Sequence, residues 1–179
     1  MTEYQAVLNA PRVPALLDNL KSFGTARGLP AWTYMSERLN RLEHQRVILR
    51  TWQFACHINE IASPGSYVTL ELMRDSFIVL RGHDGAIRAF RNVCRHRGAR
   101  LLDGAGACKG SIVCPYHGWT YSLDGSLRAT PANRTFPDLD LTAHGLGEVS
   151  VDVFRGLVFV RPEGTGPGVA EMFGDLAGH

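Results

Sequence analysis

Asn92-Val93-Cys94-Arg95-His96-Arg97-Gly98-Ala99 and, with 17 residues between His96 and Cys114, Cys114-Pro115-Tyr116-His117-Gly118-Trp119-Thr120-Tyr121 are the two stretches on which the reading of this chain turns. Each places one thiol and one imidazole just ahead of a glycine, as in the tip of a hairpin-like loop. Two such loops facing each other can enclose a metal group, with Cys94, His96, Cys114 and His117 as its candidate ligands.

The residue types point to one arrangement. In a Rieske-type [2Fe–2S] cluster two cysteines hold one iron and two histidines hold the other. Thiolates stabilise the iron that stays ferric. Neutral imidazoles give less charge to the second iron and raise its potential above that of an all-cysteine cluster. The competing reading is zinc, which Cys2His2 donors also suit, but zinc fingers pair like ligands in each half of the motif. Here each half carries one of each, and Cys-x-His is a tight bite for a finger turn.

Outward from these loops the texture is that of a β domain, with short apolar runs separated by Gly, Pro, Asp and Asn. Strands are expected at 52–57, 67–72, 77–80, 86–90, 120–122, 126–127, 149–154 and 157–160. Asp84-Gly85 and Asp124-Gly125 supply the positive φ angles of tight hairpins, and Arg155-Gly156 joins the last pair. Upstream, Leu39, Leu42, Arg46, Val47 and Leu49 fall near helical spacing behind Ser36, a natural N-cap, which predicts a helix over 36–50 with Glu43 pairing to Arg46 or Arg50. Residues 1–30 read as a loose arm with two possible helical turns near Ala15-Leu16-Leu17. The expected organisation is an arm and helix at 1–50, the cluster domain at 51–162, and a linker followed by the start of a further domain at 163–179. The fold class is mainly β, a small antiparallel barrel or sandwich with cluster-binding loops, preceded by a helical segment.

A chain of 179 residues with 45% hydrophobic content has ample core to fold. Nineteen basic against 17 acidic residues leave a formal charge of +2, with no polybasic tail or acidic block to suggest nucleic acid. No secretory leader and no run of 18 apolar residues is present, so no membrane partner is expected and the cytoplasm is the expected location. Four cysteines in such a chain read as metal ligands or buried thiols rather than a disulfide framework.

From about Leu29 to Pro162 the chain resembles the α subunit of a Rieske non-haem iron oxygenase, the family of aromatic-ring-hydroxylating dioxygenases and related monooxygenases and demethylases. The resemblance rests on the two quoted stretches, on Leu29-Pro30-Ala31-Trp32-Thr33-Tyr34, on the helix with Glu43 and on Trp52. It implies an oxidoreductase in which the cluster takes an electron from a reductase or ferredoxin. His96 or His117 then passes it toward a mononuclear Fe(II), in the family on a neighbouring subunit of a homotrimer. Such an iron is held by two histidines and a carboxylate in a C-terminal domain. After the second motif only His144 and His179 remain, and Asp140-x3-His144 does not reproduce that pattern. The catalytic iron is therefore expected only in a full-length parent, of which this chain is the N-terminal part. The alternative is a free-standing Rieske ferredoxin-like carrier. Substrate choice between aromatic acids and quaternary ammonium compounds stays open.

Respiratory-chain Rieske proteins match less well. They carry an extra cysteine where Ala99 and Tyr116 stand and a hydroxyl where Trp119 stands. Fewer hydrogen bonds to the sulfurs imply a potential toward the low end of the Rieske span, about −150 mV. Trp119 and Tyr116 are expected to cover the cluster. Arg88, Arg91, Arg95, Arg97 and Arg100 form a dense positive run, read either as a solvated face or as a docking surface for an acidic partner. Cys56 reads as core, His57 as a structural histidine, His83 as a turn residue and Cys108 as a spare thiol.

Overall fold

The structure, a computed structural model, describes residue 29 and residues 31–131 and 139–174. The expected N-terminal arm lies outside them. The chain falls into two compact units, Met1–Ile48 and Leu49–His179.

In the first unit, helix α1 (Ala31–Met35) precedes α2 (Glu37–Arg46). Ser36 is the N-cap: its hydroxyl accepts from the Leu39 N–H at 3.2 Å, satisfying one of the donors a helix start leaves open. Glu37 and Arg41 pair at 3.6 Å along one face. The helix ends earlier than expected, at Arg46, where β-branched Val47 and Ile48 begin. A single 3-10 turn, Ile48–Arg50, takes over.

The second unit is mainly antiparallel β. Its strands are β1 (Gln53–His57), β2 (Ser66–Leu72), β3 (Asp75–Arg81), β4 (Ile87–Arg91), β5 (Ala105–Ala107), β6 (Ile112–Val113), β7 (Thr120–Tyr121), β8 (Leu127–Ala129), β9 (Glu148–Phe154) and β10 (Leu157–Arg161). A seven-stranded sheet runs β1-β10-β9-β4-β3-β2-β5, and a three-stranded sheet runs β6-β7-β8. A short helix α3 (Val169–Phe173) follows.

Strand β3 explains the two-layered build. Phe77, Ile78, Val79 and Leu80 are all fully buried, so both faces of the strand are covered. Phe77 and Val79 join one core with Cys56, Ile61, Val158 and Val160. Ile78 and Leu80 point the other way, into a core with Phe90, Cys94, Ile112, Cys114, Trp119 and Tyr121. At about 1.5–3 kcal/mol per side chain, an upper estimate, this one strand gives several kcal/mol to each core. The second core is the one that carries the candidate ligands.

The hairpin tips differ from the expectation in detail. At Asp84-Gly85 and Asp124-Gly125 only the glycines have positive φ, 80° and 88°. The aspartates instead accept from the N–H two residues on, Ala86 and Ser126, because a short carboxylate closes its own turn. Arg155-Gly156 has φ 50° and 84°, the two-residue turn with both central residues left-handed. Beyond β10, the glycine-rich segment is held down. Arg161 donates to the Pro167 and Gly166 carbonyls and lies 4.4 Å over the Trp52 ring, while the Trp52 indole N–H donates to Pro167 O at 2.9 Å.

Candidate metal centre

Both candidate loops are closed by one backbone template. In the first, which leaves β4, the Cys94 N–H donates to Ala99 O at 2.8 Å and the Gly98 N–H donates to Cys94 O at 3.0 Å. In the second, between β6 and β7, Cys114 N–H donates to Trp119 O at 2.8 Å and Gly118 N–H to Cys114 O at 3.0 Å. Gly98 and Gly118 stand at φ 72° and 69°, a turn conformation that costs other residues energy. The histidine is two residues after the cysteine in one loop and three in the other. The glycine comes four after it in both, so the loops have the same size.

Asn92 fixes where the first loop starts. Its Nδ2 donates to Ser76 Oγ and Leu102 O, and its Oδ1 accepts from Leu101 N–H and Leu102 N–H, all within 2.7–3.1 Å. All four bonds are made by a side chain in the buried interior.

The four candidate ligands are brought together with a gradient of burial. Cys94 and Cys114 are each 3% exposed, His96 is half-buried and His117 is exposed. The two imidazoles face one another with ring centroids 4.8 Å apart at 67°. The His96 ring lies parallel to buried Trp119 at 5.0 Å, and His117 stacks on Tyr116 at 3.8 Å. Tyr116 is itself 61% exposed, so it covers a histidine rather than a sulfur; the indole is the buried lid. Partial desolvation, with His117 and Arg97 nearby, holds the His96 pKa below the ordinary imidazole value, favouring the neutral form that ligates metal.

Tyr121 is the residue the sequence reading passed over. Its oxygen accepts from the Arg95 N–H at 3.0 Å and lies 3.3 Å from Cys94 Sγ, a contact to which the phenol gives the proton when Cys94 is a thiolate. Burial pushes this phenol well above the ordinary tyrosine value, so it keeps that proton. A hydroxyl other than the one missing at Trp119 is therefore within reach of a sulfur.

The other singled-out residues stand apart from this centre. His144 has its Nδ1 2.8 Å from Asp140 O and its ring edge-on to Trp119 at 6.2 Å. The Asp140 carboxylate is taken by the Thr142 N–H and hydroxyl. His57 accepts from Asn59 N–H and caps the 3-10 turn Ile58–Ile61. Cys56 is in the core, its thiol pushed up to about 11 by burial and by Glu60. Burial also raises the half-buried Cys108 thiol, and His83 sits in the tip of the β3–β4 turn.

Two buried thiols facing inward and two imidazoles facing outward suit a two-iron, two-sulfide group whose irons need unlike ligands. Tetrahedral zinc accepts the same donor types, but zinc fingers pair like ligands within each half of the motif, whereas each loop here carries one of each.

Comparison with known proteins identifies the family. The family model for the Rieske [2Fe-2S] domain matches residues 51–149. The chain is 32% identical over 160 residues to the carnitine monooxygenase oxygenase subunit of Acinetobacter baumannii, covering 83% of this chain and 43% of that protein. It is 37% identical over 162 residues to the glycine betaine monooxygenase oxygenase subunit of Chromohalobacter salexigens, covering 90% and 36%. The crystal structure of naphthalene 1,2-dioxygenase from Rhodococcus sp. superposes with a TM-score of 0.83 at 29% identity, over 94% of this chain and 39% of that one. The chain thus spans about two fifths of the length of the curated relatives it matches. With the family model covering more than half of its residues and oxygenase subunits among its relatives, the chain belongs to the Rieske [2Fe–2S] domain family, in the part that forms the N-terminal portion of Rieske oxygenase subunits.

Proposed function

We propose that Cys94 and Cys114 hold one iron of the cluster and His96 and His117 the other, and that the chain relays single electrons as part of a Rieske oxygenase α subunit. One observation carries the ligand assignment: the paired loops put both thiols inside and both imidazoles outside on one backbone template. When bound, the cluster supplies a one-electron couple whose reducible iron is the histidine-ligated one. The chain's own contribution is to keep water from the sulfurs with Trp119, to donate to Cys94 Sγ from Tyr121, and to present His96 and His117 at the surface as the way in and out.

For the whole subunit the proposal is O2 activation at a mononuclear Fe(II) in a domain beyond the matched span, with electrons from a reductase or ferredoxin and a homotrimeric assembly in the cytoplasm. Among the described residues, no helix is long and apolar enough to cross a membrane. The relatives are named for quaternary ammonium compounds and for naphthalene, so oxidation of a quaternary amine and aromatic ring hydroxylation are the two substrate classes to assay.

The test is the EPR spectrum of the dithionite-reduced chain, with iron and acid-labile sulfide counted on the same sample. A rhombic signal averaging below the free-electron g, with about two irons and two sulfides per chain, is the expected result. A silent, colourless, zinc-rich sample overturns it.

A further inference from the structure

His144 holds no ligand position, yet its contacts lead to one. It closes the 3-10 turn Leu141–His144, whose N-cap is Asp140. Its Nδ1 lies 2.8 Å from the Asp140 carbonyl oxygen. A carbonyl only accepts, so Nδ1 carries the proton and the ring is tied to its own turn. The ring stands edge-on to the Trp119 indole, with centroids 6.2 Å apart at 70°, within the range in which aromatic pairs attract. Trp119 in turn lies parallel to His96 at 5.0 Å. One line of contacts thus runs from a backbone carbonyl through His144 and Trp119 to a candidate ligand.

The segment that carries His144 is fastened at both ends. Leu139 packs against the core that holds Cys94 and Cys114, and Leu146 is buried inside it. The Leu146 N–H donates to Gly125 O at 2.8 Å, and Gly147 O accepts from the Arg91 N–H at 2.8 Å, tying the segment to the β7–β8 turn and to β4. Within it, the Asp140 carboxylate accepts from the Thr142 N–H at 2.9 Å and from its hydroxyl at 2.6 Å. A turn held in this way can keep a ring in place. The indole has use for that support: it is buried and shares its core with both thiols. Two parallel rings fix the spacing between them but leave one able to slide over the other. A third ring set across the second resists that sliding.

We propose that His144 is a positioning residue for the cluster: tied to the Asp140 carbonyl, it holds the Trp119 indole in register over His96 and so keeps water from the sulfurs. This rests on the electron-relay reading above and deepens it by adding a third segment, residues 139–147, to the two loops that carry the ligands. His144 acts only through Trp119 and is not itself a ligand.

Voltammetry and pulsed EPR on the cluster-loaded chain test this, the EPR on dithionite-reduced protein exchanged into D2O, where deuterium couplings report water close to the cluster. His144→Ala removes the ring, and His144→Phe keeps a ring against the indole. Thr142→Ala takes one hydroxyl bond from the same turn and leaves His144 in place. Water that reaches the sulfurs donates to them and favours the reduced state. His144→Ala should therefore raise the reduced-to-oxidised ratio at the parent's midpoint about threefold, a midpoint about 28 mV higher at about 59 mV per tenfold, with stronger deuterium couplings. His144→Phe should recover more than half of both shifts, and Thr142→Ala should leave both readouts at the parent's values. Parent-like potential and couplings in His144→Ala would overturn the proposal. So would a His144→Phe variant that behaves like His144→Ala, or a Thr142→Ala shift as large as that of His144→Ala. A parent without the reduced-cluster signal would overturn the electron-relay reading and this proposal with it, whereas a normal parent signal with unmoved variants overturns the proposal alone.

Discussion

With Cys94 a thiolate ligand, the one proton available to the 3.3 Å contact between Tyr121 and Cys94 Sγ is the phenol's. A donor on a thiolate stabilises the more negative, reduced state of any cluster the thiolate holds. Tyr121→Phe is expected to lower the midpoint potential by roughly 40 mV, the equivalent of about 1 kcal/mol in a one-electron couple, as voltammetry would show. A midpoint within error of the parent would refute this role. His96→Cys or His117→Cys should lower the potential much further where a cluster is retained, since a thiolate adds charge to the reducible iron. Asn92→Ala leaves the N–H groups of Leu101 and Leu102 unpartnered inside the fold, at an expected cost of about 2–4 kcal/mol in urea unfolding. The four ligand candidates were legible in the sequence because their chemistry is unusual wherever it occurs. Tyr121 and Asn92 were not. A tyrosine or asparagine acquires meaning only from what lies opposite it, and Cys94 is 27 residues from Tyr121 along the chain.

At the scale of the element, the two cluster loops share a template but not their tolerance. A Cβ on Gly98 meets nothing within 4 Å, so Gly98→Ala carries only the left-handed backbone penalty of roughly 1 kcal/mol. On Gly118 the same carbon lies 2.9 Å from the Pro131 ring, so Gly118→Ala should destabilise clearly more. Thermal unfolding of the two variants side by side checks the order; equal losses would contradict it. Most strands could be read from the sequence because their apolar runs are bounded by turn residues, as at Phe77–Leu80 and Leu157–Val160. β5 could not. Its Ala105-Gly106-Ala107 has no apolar pattern and is exposed throughout, and it exists because β2 offers it backbone partners from Ser66 to Val68. The two-residue strand β6 escaped notice for the same reason: it is defined by its pairing with β7, across the very loop it supports. The early end of α2 shows the limit of periodicity, which ran on through Val47 and Leu49 although the backbone had already changed.

Across the whole molecule, several carboxylates are tied into turns and ion pairs that hold their pKa values below the ordinary range: Asp84 and Glu71 chiefly by Arg88 and Arg100, Asp124 and Asp140 by Ser126 and Thr142. Their folded pKa values lie under the unfolded ones, so the stabilisation is complete above about pH 5 and is lost as pH falls through about 4 and below. The melting temperature should fall a little between pH 7 and 5, where the depressed His96 pKa leaves the unfolded chain to bind the extra proton, and further by pH 3 as the carboxylates are protonated; a profile as high at pH 3 as at pH 5 would contradict this. The mainly β class followed from sequence texture, whereas the division into two cores by β3 needed the sheet order, which no local pattern carries. That division bears on speed. Each loop grips its cysteine by backbone bonds on both sides, and the thiols rest in the packed core. A cluster held between loops tied this firmly would have little room to change shape as an electron arrived, so the tempo would belong to the approach of the partner and not to the loops.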